Sequence, residues 1–169
     1  MELSELLIDI FDRVAEHVDE AVSGLDLDAL HTAPEAGSNP IAWLVWHLTR
    51  VQDHHVAEIV DESQVWISGN WAPRFGVEPD LDNTGYGHSL EEVLTIRAES
   101  AAVLVEYYAA VAARTRELLE RTTATDLDRV VDDRWTPPVT LGVRLISIAD
   151  DDIQHAAQAT YVRGILDRR

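Results

Sequence analysis

Cysteine is absent from all 169 residues. That removes disulfides, thiolate metal ligands and a protein-borne thiol nucleophile, so any sulfur chemistry here must use a thiol brought in from outside. Basic residues are scarce, 13 against 31 acidic for a formal net charge of -18. Nucleic acid is therefore not an expected partner, because binding phosphates needs a basic surface that displaces counterions. No apolar run approaches the ~18 residues of a membrane span, and no charged-then-apolar leader opens the sequence. A cytoplasmic protein that does not enter a membrane is the expectation. Strand-type alternation, internal repeats and low-complexity tracts are also missing.

What remains is a chain of 46% hydrophobic residues with helical periodicity, which predicts one all-α domain over residues 1–169. Leu6, Leu7, Ile10, Val14 and Val18 mark a first helix from about Ser4 to Val22. Asn39 as cap and Pro40 in the first turn open a second, with Ile41, Leu44, Val45, Leu48, Val51 and Ile59 on its buried side. From Asp61 to His88 the periodicity stops and glycines and prolines punctuate the chain. That connector holds Trp66, Trp71, Phe75 and Tyr86, so it is expected to pack in an ordered way over the bundle and wall a pocket. Ser89 and Glu92 form a capping box, read as the start of a third helix running to about Arg121. A second connector spans Asp132 to Pro138, and Thr140 caps a fourth helix that ends at Gly164 or shortly after. Four helices of this kind make a four-helix bundle.

The fourth helix carries the most informative residues, Asp150-Asp151-Asp152-Ile153-Gln154-His155 inside an apolar segment. Asp151 and Asp152 precede His155 by four and three residues, so both carboxylates share its face. Charges on an inward stripe need hydrogen bonds, counter-ions or a metal. His47 flanks the apolar stripe of the second helix. Two imidazoles and one carboxylate from two helices form a site for a divalent ion such as Zn²⁺ or Ni²⁺ with positions left open. The i, i+4 spacing favours Asp151 as the carboxylate, with Asp152 as the alternative or as a supporting group. His54 and His55 read as surface residues, His54 lying too far along the helix to share an ion with His47.

His47 within Trp43-Leu44-Val45-Trp46-His47-Leu48, together with the Asp151 to His155 pair, resembles the DinB-like metal-binding four-helix bundles. More narrowly, the runs Asn39 to Leu44, Asp82 to His88, Pro137 to Thr140 and Gln154 to Gly164 are similar to the mycobacterial mycothiol S-transferases of that superfamily. The resemblance covers essentially the whole chain. It implies an up-down-down-up bundle, a zinc-type ion held by His47, Asp151 and His155 at one end, and transfer of the thiol mycothiol onto electrophiles in detoxification. A neighbouring branch, the mycothiol-dependent maleylpyruvate isomerases, has Glu where this chain has Asp151 and usually a further C-terminal domain, so conjugation is expected over isomerisation.

An amino-sugar thiol would need polar donors and aromatic faces near the ion. Arg144, Gln158, Gln154 and Trp43 are the expected thiol-binding residues, with Arg74 and His88 as further donors, and Trp66, Trp71 and Tyr86 are the expected surface for the electrophile; Trp46 and Trp135 lie in the same regions. Two other readings use the same ligands: a hydrolase acting through metal-activated water, and a non-catalytic metal-binding stress-response bundle. The expected partners are a small-molecule thiol and an electrophile, in a monomer or homodimer.

Overall fold

Leu7, Phe11, Val14, Val18, Ala21 and Val22 recur every three to four residues and are all buried, so the first amphipathic stripe becomes the first long helix, α1 (Leu3–Val22). In the computed structural model, which describes residues 2–168, three more long helices join it: α3 (Ile41–Val60), α6 (Ala101–Arg121) and α7 (Leu141–Leu166). Short α2 (Leu27–His31), α4 (Val65–Ser68) and α5 (Leu90–Val93) lie in the connections. One core layer joins Leu7 and Phe11 to Val56, Leu118, Leu119 and the Leu141 to Ala149 start of α7. The other joins Val14 to Val22 with Ile41 to Leu48, Val103 to Val111 and the Ala156 to Val162 part of α7. The start of α1 therefore meets the ends of α3 and α6 and the start of α7, which makes the bundle up-down-down-up. Both α1 and α3 pack against α6 and α7.

Three local expectations change. The capping box at Ser89 forms, with the Glu92 N–H donating to Ser89 Oγ and the Ser89 N–H donating to the Glu92 carboxylate, but it starts only the single turn of α5. Pairing with the connector then extends the chain: the Arg97 N–H donates to Phe75 O at 2.8 Å and the Glu99 N–H to Arg74 O at 2.9 Å. Ser100 caps a new helix, accepting from the Val103 N–H. Second, the N-cap of α3 is Pro40 itself, one residue later than expected, and its side chain makes no capping hydrogen bond. Third, strands do exist: β1 (Val130–Asp132) pairs antiparallel with β2 (Val139–Thr140). This hairpin puts Asp132 and Arg134 beside the first turn of α7.

The long connector is tied down by charged groups on α3. Asp53, 1% exposed, accepts from the backbone N–H groups of Val65 and Trp66 at 2.8 and 2.7 Å, which satisfies the orphan donors that open α4. Arg50 is fully buried and donates to the carbonyls of Asn83, Leu81 and Asp80 at 3.1, 3.1 and 3.3 Å. Its guanidinium also lies 3.5 Å from the Asp53 carboxylate and 4.9 Å from the centre of the Trp66 ring. A buried cation is tolerable only with such complete pairing.

Candidate metal centre

His47 is nearly buried, and its ring lies flat on the Trp43 indole at 4.6 Å between centroids. Its Nδ1–H donates to the Thr84 carbonyl at 2.5 Å. With that proton placed, the lone pair of the neutral ring resides on Nε2. Burial lowers the pKa of His47 most, opposed by the Thr84 hydrogen bond, so the ring stays in the neutral form that binds metals. On α7, the Nδ1–H of His155 donates to the main-chain oxygen of Asp151 at 2.9 Å, again leaving Nε2 free. The two rings meet edge to face, 4.5 Å apart.

Asp151 completes the group: one ligand atom from each of His47, Asp151 and His155 lies within 4.8 Å of the others. Asp151 Oδ2 is 3.4 Å from His155 Nδ1, but that N–H is aimed at the main-chain oxygen, so Oδ2 is buried without a hydrogen-bond partner. Burial works against charge on His155; the Asp151 side chain and main-chain oxygen outweigh it and raise its pKa. An orphaned buried carboxylate oxygen and two imidazole lone pairs fit a divalent cation. The carbonyl of Thr84 and the main chain of Asp151 then act as the outer partners that fix ring orientation. The triad lies between α3 and α7, which pack together, with His47 in the first half of α3 and Asp151 and His155 in the middle part of α7.

Asp152 faces elsewhere. It is fully buried, neither carboxylate oxygen has a hydrogen-bond partner, and burial followed by the neighbouring Asp151 charge pushes its pKa well up. Its charge would act on Tyr108 of α6, which places it on the interior side of α7 as a neutral acid.

The connector closes over the triad. Gly85 has φ +91°, and a Cβ there would lie 2.8 Å from His47 Nδ1, 2.9 Å from the Trp46 ring and 3.1 Å from the Trp43 ring. Only glycine allows the Thr84 carbonyl to approach His47 this closely. Asn83 Oδ1 accepts from the Gly85 N–H at 3.2 Å and from His88 Nε2–H at 2.8 Å, while His88 Nδ1 accepts from the Trp43 indole N–H at 3.2 Å. Both nitrogens of His88 are thus used inside the protein.

A cavity of about 510 Å³ opens at the triad, lined by His47 and Asp151, by Asp82, Thr84 and Tyr86 of the connector, and by Val51, His54, His55, Arg134 and Ser147. Of the residues expected to bind thiol or electrophile, Tyr86 lines it, 93% exposed at its mouth. Trp43 backs His47, and Trp46 is fully buried behind it. Trp66 is 2% exposed in the core and Trp71 packs on Tyr107, so neither reaches the cavity. Arg74 pairs with Glu99 and Glu106. Gln154 bonds Asp150 on an exposed face, and Gln158 lines a separate cavity with Pro34, Asn39 and Tyr161. Arg144 lies in the neighbouring cavity with His55, Arg134 and Trp135. Helical phase placed Gln158 and Arg144 near the ligand row, but an offset of one or two turns along the axis carried each away from it.

His54 and His55 are half-buried in this cavity wall, not free on the surface, and with Glu58 they form a second compact group of ligand types. Their atoms have other partners. Arg144 donates to His55 Nε2 at 3.4 Å, which puts the His55 proton on Nδ1 facing Glu58 at 3.3 Å, and Arg134 pairs with Glu58 at 3.1 Å. Two guanidiniums around the group oppose a cation there.

No curated protein matches the sequence. A solved structure, described as the conserved protein of a locus from Enterococcus faecalis, is similar with a TM-score of 0.91 at 28% identity, over 100% of this chain and 99% of that one. The sequence profile of the DinB superfamily matches residues 10–159, a span that contains His47, Asp151 and His155 and most of the four long helices. With that match over most of its length and the bundle it folds into, the chain belongs to the DinB superfamily.

Proposed function

We propose that this protein is a metal-dependent thiol S-transferase that conjugates mycothiol to electrophilic small molecules. The observation that carries this reading is the grouping of two imidazoles, each with Nε2 unused, and a carboxylate oxygen without a hydrogen bond, beside an open cavity that His47 and Asp151 line, in a chain without cysteine. Three protein ligands leave coordination positions for a substrate. When bound, a zinc-type ion supplies the Lewis acidity that lets a thiol of pKa ~8.5 act as a thiolate at neutral pH. His47 and His155 present their Nε2 atoms, held by Thr84 and the Asp151 main chain. Asp151 contributes one negative charge, so the loaded site keeps a net charge near +1 that favours an anionic sulfur. Trp43 and Trp46 keep water from the back of His47, and Tyr86 offers an apolar face at the mouth for the electrophile. The choice of mycothiol rests on the resemblance of the Asn39 to Leu44, Asp82 to His88 and Gln154 to Gly164 runs.

Incubating the zinc-loaded protein with a model electrophile and a panel of mycothiol, glutathione and water alone, with products read by mass spectrometry, tests the reading. Conjugate formed much faster with mycothiol than with glutathione supports it. Hydrolysis without any thiol replaces it with the hydrolase reading, and comparable rates with both thiols remove mycothiol from it.

A further inference from the structure

Next to the metal cavity lies a second one of about 440 Å³, lined by His55, Asp132, Arg134, Trp135 and Arg144. His55 and Arg134 line both, so the two adjoin. In a chain of formal charge -18, this lining holds two guanidiniums and one carboxylate. Asp132 is 6% exposed and saturated with donors: Oδ1 accepts from Arg134 Nε at 2.8 Å and the Arg134 backbone N–H at 3.1 Å, and Oδ2 from Arg134 Nη2 at 3.0 Å and Arg144 Nη2 at 2.6 Å. Glu58, which does not line this cavity, holds Arg134 from outside through Nη2. These bonds leave Nη1 of Arg134 and Nε of Arg144 uncommitted. The Arg134 side chain is 65% exposed and the Trp135 indole beside it 64% exposed, whereas Arg144 is largely buried at the base. A fixed guanidinium with free N–H groups is suited to carboxylate, and an exposed indole to the ring or hydrocarbon next to it.

We propose that this second cavity is a carboxylate subsite: Arg134 and Arg144 take the carboxylate of one co-substrate, and Trp135 takes its adjoining ring or hydrocarbon. The term co-substrate rests on the transferase reading above; the binding itself does not. With mycothiol, which has no free carboxylate, the carboxylate resides on the electrophile; a carboxylated thiol in its place would use the same recognition chemistry and is told apart by the turnover arms below.

Calorimetric titration of the zinc-loaded protein with benzoate and with benzamide tests the binding directly. Benzoate should bind at least tenfold more tightly, Arg134→Gln should bring the two within threefold, and Trp135→Ala should weaken both alike. Arg134→Gln also removes side-chain bonds to the nearly buried Asp132, so its melting temperature is measured alongside and the benzoate-to-benzamide ratio of the folded protein is the readout. Equal affinities in the wild type, or a tenfold preference that survives Arg134→Gln, would overturn the subsite. Turnover then names the source: a neutral thiol with a carboxylated electrophile, against a carboxylated thiol with a neutral electrophile, each with wild type and Arg134→Gln. The pair whose kcat/KM falls at least tenfold in the variant carries the carboxylate. No turnover with any pair while the benzoate preference persists refutes the transferase reading and leaves the subsite intact; turnover without any benzoate preference does the reverse.

Discussion

His47 and the His54–His55 pair lie about two turns apart on α3, roughly 10 Å along its axis. Both groups include histidine and a carboxylate within ligand distance, yet their free atoms differ. At His47 and His155 each Nδ1–H is taken by a main-chain oxygen, and Asp151 Oδ2 has no hydrogen-bond partner, which leaves Nε2 of each ring and that oxygen available to a cation. At His55 the acceptor nitrogen already receives Arg144, and Glu58 receives Arg134. Residue type and spacing are nearly equivalent in the two groups. Their chemistry is set by what occupies the other ring nitrogen and by the nearest charges.

The strongest way to break this comparison is to delete ligands from each group. His47→Ala and His155→Ala should each lose the single bound ion, with zinc affinity down at least ~100-fold, while His55→Ala keeps one ion per chain. Elemental analysis after dialysis reads this; loss of metal from His55→Ala alone would reverse the assignment of the two groups. Arg50 lies between them and should matter for folding more than either. Removing one partner of its buried pair with Asp53, as in Arg50→Met, is expected to cost about 3–5 kcal/mol in urea unfolding of the metal-free protein.

Gly85→Ala addresses the outer support of His47. The added Cβ would meet His47 Nδ1 and push the Thr84 carbonyl away, so zinc affinity should fall roughly 10–100-fold with the helical content unchanged. Unaltered affinity would show that the carbonyl does not orient the ring. The adjacent aspartates give a narrower contrast, also read by zinc titration. Asp151→Asn should weaken zinc by roughly tenfold or more, and Asp152→Asn should leave it unchanged, because Asp152 sits in the interior as a neutral acid. The reverse result would move the ligand to Asp152.

The smallest effect concerns pH. Burial and the Arg144 charge lower the folded-state pKa of His55 below its unfolded value near ~6.5. A neutral His55 therefore contributes stability that is fully present above the unfolded pKa and is lost as pH falls through the folded one. Denaturant unfolding between pH 7.5 and 5 should show a shallower acid loss in His55→Gln than in wild type. Parallel curves would mean that His55 titrates alike in both states.

Much of this molecule follows from local pattern. The stripes of α1 and α7, the Thr140 cap and the break after Asp61 are properties of short segments, because a helix needs only one apolar face and a start signal. The i, i+4 relation of Asp151 to His155 is equally local. The split of the expected third helix into α5 and α6 is not, since it depends on Arg97 and Glu99 pairing with Phe75 and Arg74, more than twenty residues away. Nor could phase on one helix show that Trp66 would enter the core while Tyr86 reaches the cavity mouth.

The sequence by itself determined the class of fold and the residue types able to hold a cation, because helical periodicity and ligand chemistry are written in neighbouring positions. The tertiary structure alone decided which histidines have open lone pairs. That outcome depends on the Thr84 carbonyl delivered by an Arg50-clamped connector and on the hairpin that sets Arg134 and Arg144 beside His55, contacts between segments whose separation along the chain carries no pattern.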